Sequence, residues 1–239
     1  MTGEILFPEF SGIYGDCGNM MLLKQCCKDM TFKETSLMEE PLFVSKDVDF
    51  IYIGSMSEVK QELAVKKLMP YKERLTDLID KGTVFLITGN ALELFGQYIQ
   101  DKDNKIPMLG IFDFHSERDF DNRINYIVVA KYDDMDIIGV KSQFSQIYGL
   151  EKDHFLTMVK GLGDNLKSKY EGVHYKNFYG TFSLGPFLVN NPDFTKYLLR
   201  LLHQKDELVY EEDLYAASRE RFKKYSHPDA PVDIGLHGF

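Results

Sequence analysis

Short apolar runs alternate with segments of helical spacing through the first half of the chain. Residues 4–7, 49–53 (DFIYI), 83–87 (TVFLI) and 108–114 (MLGIFDF) are apolar stretches ending in Gly, Ser or polar residues, the pattern of strands buried on both faces. Between them, residues 19–28, 58–69, 71–80 and 91–100 carry apolar positions at helical intervals. In the third of these, Tyr71, Leu75, Leu78 and Ile79 share a face, and Gly82 follows as a C-cap. Alternating strands and helices imply right-handed crossovers and a mainly parallel sheet with helices on both sides.

The second half changes pattern. Residues 124–130 (INYIVVA) and 135–141 (MDIIGVK), separated by a short polar turn, predict an antiparallel hairpin. Residues 178–184 (FYGTFSL) form another strand, followed by helices over 193–203 and 211–224. The polar, glycine-bearing stretch 161–173 is expected to be a surface loop, and the tail SHPDAPVDIGLHGF a loosely held terminus. The fold class is three-layer α/β, flavodoxin-like in plan, with a mainly parallel sheet and an antiparallel extension.

Composition narrows the function. The 239 residues are 44% apolar and 27% charged, which fits one large globular domain rather than a disordered chain. A net charge of -9 argues against a constitutive nucleic-acid surface, because the long-range field repels phosphate. Cys17, Cys26 and Cys27 are crowded without a CxxC pair or a nearby His, so neither a disulfide framework nor a metal site is expected. No apolar run reaches membrane-spanning length, and the expectation is a reduced cytoplasmic protein without a membrane span. GLGD at Gly161 lacks the Lys and Ser/Thr of a phosphate loop, and no cofactor is expected.

In an open parallel sheet, reactive groups collect at the carboxyl ends of strands. Three such ends matter: Gly54, Ser55 and Met56; Thr88, Gly89 and Asn90; and Leu184, Gly185 and Pro186. The second has the layout of a nucleophile elbow, a tight strand-to-helix turn.

YGDCGN (14–19), YIG (52–54), GTVFLITGNALELFG (82–96) and YKNFYGTFSLGPFLVNNP (175–192) resemble, in order, the signature blocks of class I glutamine amidotransferases of the cobyric acid synthase-like type. Within that family the chain resembles the branch of glutaminase subunits that serve lipid II isoglutaminyl synthase beside a Mur ligase-like subunit. The resemblance implies an amidotransferase-like domain over residues 1–205, with residues 206–239 as a C-terminal helix and tail. In the family the elbow reads approximately CGGYQLLG, with a cysteine nucleophile, and the ungapped match to GNALELFG places Gly89 at that cysteine. A second block reads approximately YGTYLHGPLL..NP, with a histidine base, and the match to YGTFSLGPFLVNNP places Leu184 at that histidine.

Glutamine hydrolysis by this route needs a thiolate to attack the amide and an imidazole to move the proton. Gly89 and Leu184 supply neither. Ala91 and Glu93 also replace a family glycine and glutamine, and GSMSEVKQ from Gly54 replaces a more glycine-rich loop of the oxyanion region. Arg123 falls where the resembling branch places an arginine near the glutamine carboxylate; with Gly54, Ser55 and Asn90 it makes the ligand-binding set. The competing reading of Arg123 is a surface arginine paired with Asp119 or Asp121.

The resemblance therefore implies a degenerate, non-hydrolysing pseudoenzyme that binds a Mur ligase-like or other amidotransferase partner, or retains glutamine or another small amino acid as ligand. The alternative is an active subunit in cell-wall or cobalamin-type amidation, using a substitute nucleophile (Thr88 or Cys17) or residues of a partner. An assembly factor acting through residues 211–239 is a third reading. His115 follows FDF and could share a face with Asp113 as half of a metal site, although a solvated loop histidine is the favoured reading. His174 is expected at the opposite end of the sheet from the elbow. The acidic group Glu211, Glu212 and Asp213 reads as the favourable start of a helix, and Met20 to Leu23 as core.

Overall fold

The computed structural model describes residues 1–150 and 152–235. Five parallel strands form one side of its main sheet: β1 (Thr2–Leu6), β2 (Thr31–Thr35), β3 (Phe50–Ile53), β4 (Val84–Thr88) and β13 (Phe178–Thr181). β8 (Ile124–Tyr132), β9 (Met135–Gln143), β11 (His154–Lys160) and β12 (Tyr170–Tyr175) extend it antiparallel, giving the order β2-β1-β3-β4-β13-β12-β11-β8-β9. A second sheet contains β5 (Tyr98–Asp101), β6 (Asn104–Pro107), β7 (His115–Arg118) and β10 (Ser145–Tyr148), in the order β10-β7-β5-β6.

The continuous apolar runs are explained by cover on both faces. Phe50, Tyr52, Val84 and Leu86 pack with Leu23 of α1 (Gly18–Cys26) and with Phe194 and Leu198 of α6 (Pro192–Leu201). The alternate residues Ile51, Ile53, Phe85 and Ile87 pack on the other side with Ala64 and Leu68 of α3 (Glu58–Leu68) and Leu75 and Ile79 of α4 (Lys72–Lys81). Period-two alternation thus sends these eight side chains of β3 and β4 into apolar surroundings on one face or the other. Gly82 ends α4 with φ +88°, the left-handed cap that its position predicts. Two short helices, α2 (Leu42–Ser45) and α5 (Phe187–Asn190), and the 16-residue α7 (Glu211–Ser226) complete the chain.

Two elements depart from the sequence pattern for one shared reason. Residues 91–100 are not a helix: a 3-10 segment, Gly89–Phe95, gives way to β5. Residues 108–114 are not a strand of the main sheet but an irregular segment whose amides take the carbonyls a longer helix would have used. Leu109 N donates to Leu94 O at 2.9 Å, Phe112 N to Phe95 O at 2.9 Å, and Gly110 N to Gly96 O at 2.6 Å. Apolar content there signals burial, with Leu109 and Phe114 in the core, while the long-range hydrogen bonds decide the conformation.

Three further corrections concern the second half. The stretch 161–173 is not wholly a surface loop, because Gly163 and Asp164 are buried and β12 begins at Tyr170. The strand expected over 178–184 ends at Thr181, where the Thr181 hydroxyl accepts from Ser183 N at 2.9 Å. The tail, in its described part, is docked rather than loose. Ile127 N donates to Val232 O at 2.7 Å, Ile234 N donates to Asn125 O at 3.2 Å, and Lys160 Nζ reaches the carbonyls of His227, Pro228 and Ala230. No helix among the described residues is long and apolar enough to cross a membrane.

Candidate functional site

The carboxyl ends of β3, β4 and β13 converge. β4 ends with Thr88 extended (φ -120°, ψ 149°), and Gly89 turns the chain with φ +63° into the 3-10 segment. That left-handed conformation is tolerated best by glycine. A Cβ built on Gly89 would lie 2.6 Å from Ser55 Cβ and 3.0 Å from Leu184 Cδ2. Leu184 has left the β4–β13 ladder and bridges Val140 of β9, donating its amide to Val140 O at 2.8 Å.

Together these residues wall a small cleft of about 100 Å³. Gly89, Leu184, Ser55 and Asn90 lie on its sheet side, and Tyr14, Arg123 and Phe144 also line it. Arg123 Nη2 donates to Tyr14 Oη at 2.5 Å, Tyr14 donates to Ser142 Oγ at 2.7 Å, and Ser142 Oγ donates to Asn125 Oδ1 at 2.6 Å. The guanidinium lies 4.9 Å from the centre of the Phe144 ring. Arg123 makes no ion pair with Asp119 or Asp121; the Asp119 carboxylate takes Asn122 Nδ2 and the Asp121 amide instead.

Behind the cleft stands Asp16, which the sequence presents only as one residue of the YGDCGN block. Its Oδ2 accepts from Thr88 Oγ1 at 2.6 Å, Ser55 N at 2.8 Å and Tyr52 Oη at 3.0 Å, and its Oδ1 accepts from Asn19 at 2.7 Å. Burial pushes the carboxyl above its ordinary pKa, opposed by the hydrogen bonds from Thr88, Ser55 and Tyr52. Thr88 is itself buried, its hydroxyl donates to Asp16, and it is not among the residues that line the cleft. Gly54 is a spacer in the same wall: a Cβ there would meet Ser11 Oγ at 2.7 Å and Asp16 Oδ2 at 2.8 Å.

Asn90 lines the cleft but spends its side chain on backbone, accepting from Met56 N at 3.0 Å and donating to Met56 O at 2.8 Å. It locks the loop after β3 to the elbow. A second buried network supports the same turn. Gln61 Nε2 donates to Asn90 O at 2.6 Å and Glu93 Oε2 at 2.8 Å, while Arg118 donates to Gln61 Oε1 at 2.7 Å. Glu93 is raised by burial, with the Gln61 hydrogen bond and Arg118 acting against it.

Next to Val140, Lys141 is wholly buried with Glu171, 3.4 Å apart. Glu171 accepts from Thr181 Oγ1 at 2.7 Å and Phe182 N at 2.8 Å, fixing the approach to Leu184. Nearby Asp164 is pushed up to about 7 by burial and by Glu171, against Lys141 and the Gly172 amide. The sequence signal for these groups was a charged residue within an apolar strand or a glycine-rich turn, which does not by itself say what it will meet.

The other candidates lie elsewhere. Cys17 is exposed just before α1 and does not line the cleft. Cys27 is buried, its thiol pushed up to about 12 by desolvation and Cys26. His115 belongs to the second sheet, stacked against Tyr98 and Tyr148 at 4.9 and 5.8 Å, not to the carboxyl edge of the main one. Asp113 does not join it in a metal cluster: no group of three His, Cys, Asp or Glu among the described residues could hold a metal ion. His174 stacks on Tyr179 at 4.7 Å.

Comparison with known proteins bears on this geometry. The CobB/CobQ-like glutamine amidotransferase domain matches residues 5–192, from the first strand through the segment that carries Leu184. The chain belongs to this family.

Within the amidotransferase family, it is similar to the GatD subunit of the glutamine-hydrolysing lipid II isoglutaminyl synthase of Staphylococcus aureus, with 29% identity over 205 residues and 83% of each chain covered. It is also similar to the same subunit of Streptococcus pneumoniae, with 26% identity over 250 residues, covering 96% of this chain and 92% of the relative. A solved glutamine amidotransferase superposes with a TM-score of 0.56 at 15% identity, covering 84% of this chain and 98% of its own, a likeness of fold. In this amidotransferase domain, the cleft at the elbow is lined by no cysteine or histidine among the described residues.

Proposed function

We propose that the chain is a degenerate amidotransferase subunit that does not hydrolyse glutamine and acts by binding. The observation that carries this reading is the packing at Gly89. The position corresponding to the family nucleophile lacks a side chain, and the wall formed by Ser55 and Leu184 closes the space that one would occupy. The position corresponding to the base holds an aliphatic side chain that can move no proton.

What the cleft retains is one cation, Arg123, with one carboxylate, Glu58, also in its lining. Arg123 is held in place by Tyr14 and Phe144 without an anionic partner among the described residues, so it suits the carboxylate of a small amino acid such as glutamine. The likeness to GatD subunits supports a Mur ligase-like partner and a place in peptidoglycan amidation. In this reading the subunit positions its partner or signals through an occupied Arg123 cleft.

The test is to incubate the purified chain with glutamine, alone and with a Mur ligase-like partner, and to measure glutamate and co-purification. Stable co-purification without glutamate is the expected result. Glutamate released only in the complex would replace this reading with an active site completed by partner residues, and release by the chain alone would overturn it.

A further inference from the structure

A second concavity, of about 460 Å³, opens between α7 and the β8–β9 hairpin. It stands on the other side of the Val140–Leu184 bridge from the elbow cleft: Leu184 lines the cleft, while Gly185 and Val140 line this groove. Its volume is in the range of small-molecule sites. Ile127, Ile138 and Val140 give it an apolar floor, and one face of α7 supplies its charged wall.

That wall carries both signs. Glu220, Arg221 and Lys224 line the groove, and none makes an ion pair with another described residue. Glu220 and Lys224 have the i,i+4 spacing and order that favours pairing on an isolated helix, yet they form no ion pair, and Lys224 Nζ lies 4.9 Å from the centre of the Tyr225 ring. Arg221 is oriented by donating to Asn190 Oδ1, and Asn190 in turn holds Gly185 O. Phe222 and Tyr225 pack against Ile127, Val129 and Ile138, which fixes the height of the helix above the floor.

We propose that this groove binds a short zwitterionic peptide of about two apolar residues. Its carboxylate meets Arg221 and Lys224, its ammonium meets Glu220, and its side chains lie on Ile127, Ile138 and Val140. The match is one of length and charge order. Opposite charges one helical turn apart stand about 5–6 Å from each other at their Cβ atoms, and an extended dipeptide reaches about 7 Å. A ligand with a single charge would leave part of the wall unused, and a polar one would desolvate against the floor without return.

The experiment is calorimetric titration with L-leucyl-L-leucine, its C-terminal amide and its N-acetyl derivative. The free dipeptide is expected to bind and each blocked form to bind about 10-fold or more weakly, the scale of one lost charge-assisted contact. Glu220→Gln should abolish the difference between free and acetylated peptide, and Arg221→Gln with Lys224→Gln the difference between free and amidated peptide. Ala217→Trp, which fills the groove from an exposed helix position, should remove binding while circular dichroism shows an intact fold. Arg123→Gln should leave dipeptide binding unchanged, which separates this site from the cleft of the proposed function. Equal affinity for all three peptides, or no binding by the folded wild-type chain, would overturn the proposal.

Discussion

Gly89 and Ser55 are in contact so closely that a methyl group on Gly89 would stand 2.6 Å from the Ser55 side chain. The elbow is therefore closed to any larger residue unless the loop after β3 moves, and Asn90 pins that loop through both its amide atoms.

Gly89→Cys with Leu184→His should consequently release no measurable glutamate. Gly89→Ala alone should destabilise the fold by about 1–3 kcal/mol from the positive φ, with the Ser55 contact adding to the loss. Thermal melting and a glutamate assay check the two halves, and robust turnover by the double variant would show that the wall yields easily and that two substitutions are all that silences the site.

Asp16→Ala should be more damaging than its place beside an exposed loop suggests. It leaves Thr88, Tyr52, Asn19 and the Ser55 amide without their common acceptor, at a cost of about 2–4 kcal/mol. Thr88→Val removes only one donor and should cost less. Urea denaturation of the three proteins checks this ranking, and equal midpoints would contradict it.

Asp164 should make stability depend on pH. Its folded value near 7 lies above the ordinary 3.8, so the folded state binds the proton more tightly. Its stabilising effect is complete below about pH 4 and is lost as pH rises toward 7. Relative to Asp164→Asn, the wild-type chain should therefore lose stability over that window, by on the order of a few kcal/mol. Parallel denaturation curves for the two proteins across pH 4–7 would refute the assignment.

Arg123→Gln should weaken binding of glutamine or glutamate by about 10-fold or more, because a fixed guanidinium is exchanged for a neutral amide. Tyr14→Phe, which keeps the ring but drops the hydroxyl that orients Arg123, should give a smaller loss. Titration calorimetry with both amino acids is the measurement, and an unaffected Arg123→Gln protein would move the ligand out of this cleft.

Sequence alone determined the parallel core, because strands covered on both faces read as near-continuous apolar runs, as FIYI of β3 and VFLI of β4 do. It also determined the left-handed cap at Gly82, the β8–β9 hairpin and the family, each carried by local spacing or ordered motifs. Tertiary structure decided the rest, where the partner of a group lies far along the chain. The helix expected after Gly89 stops because amides from residues 109–112 take its carbonyls. The described part of the tail is held by Lys160 and by the backbone of β8. Asp16 accepts from the Thr88 hydroxyl across 72 positions of sequence, and Arg123 faces Tyr14 across 109. A hydrophobic pattern specifies which surfaces must be buried, but a hydrogen bond between distant residues exists only once the chain has brought both ends together.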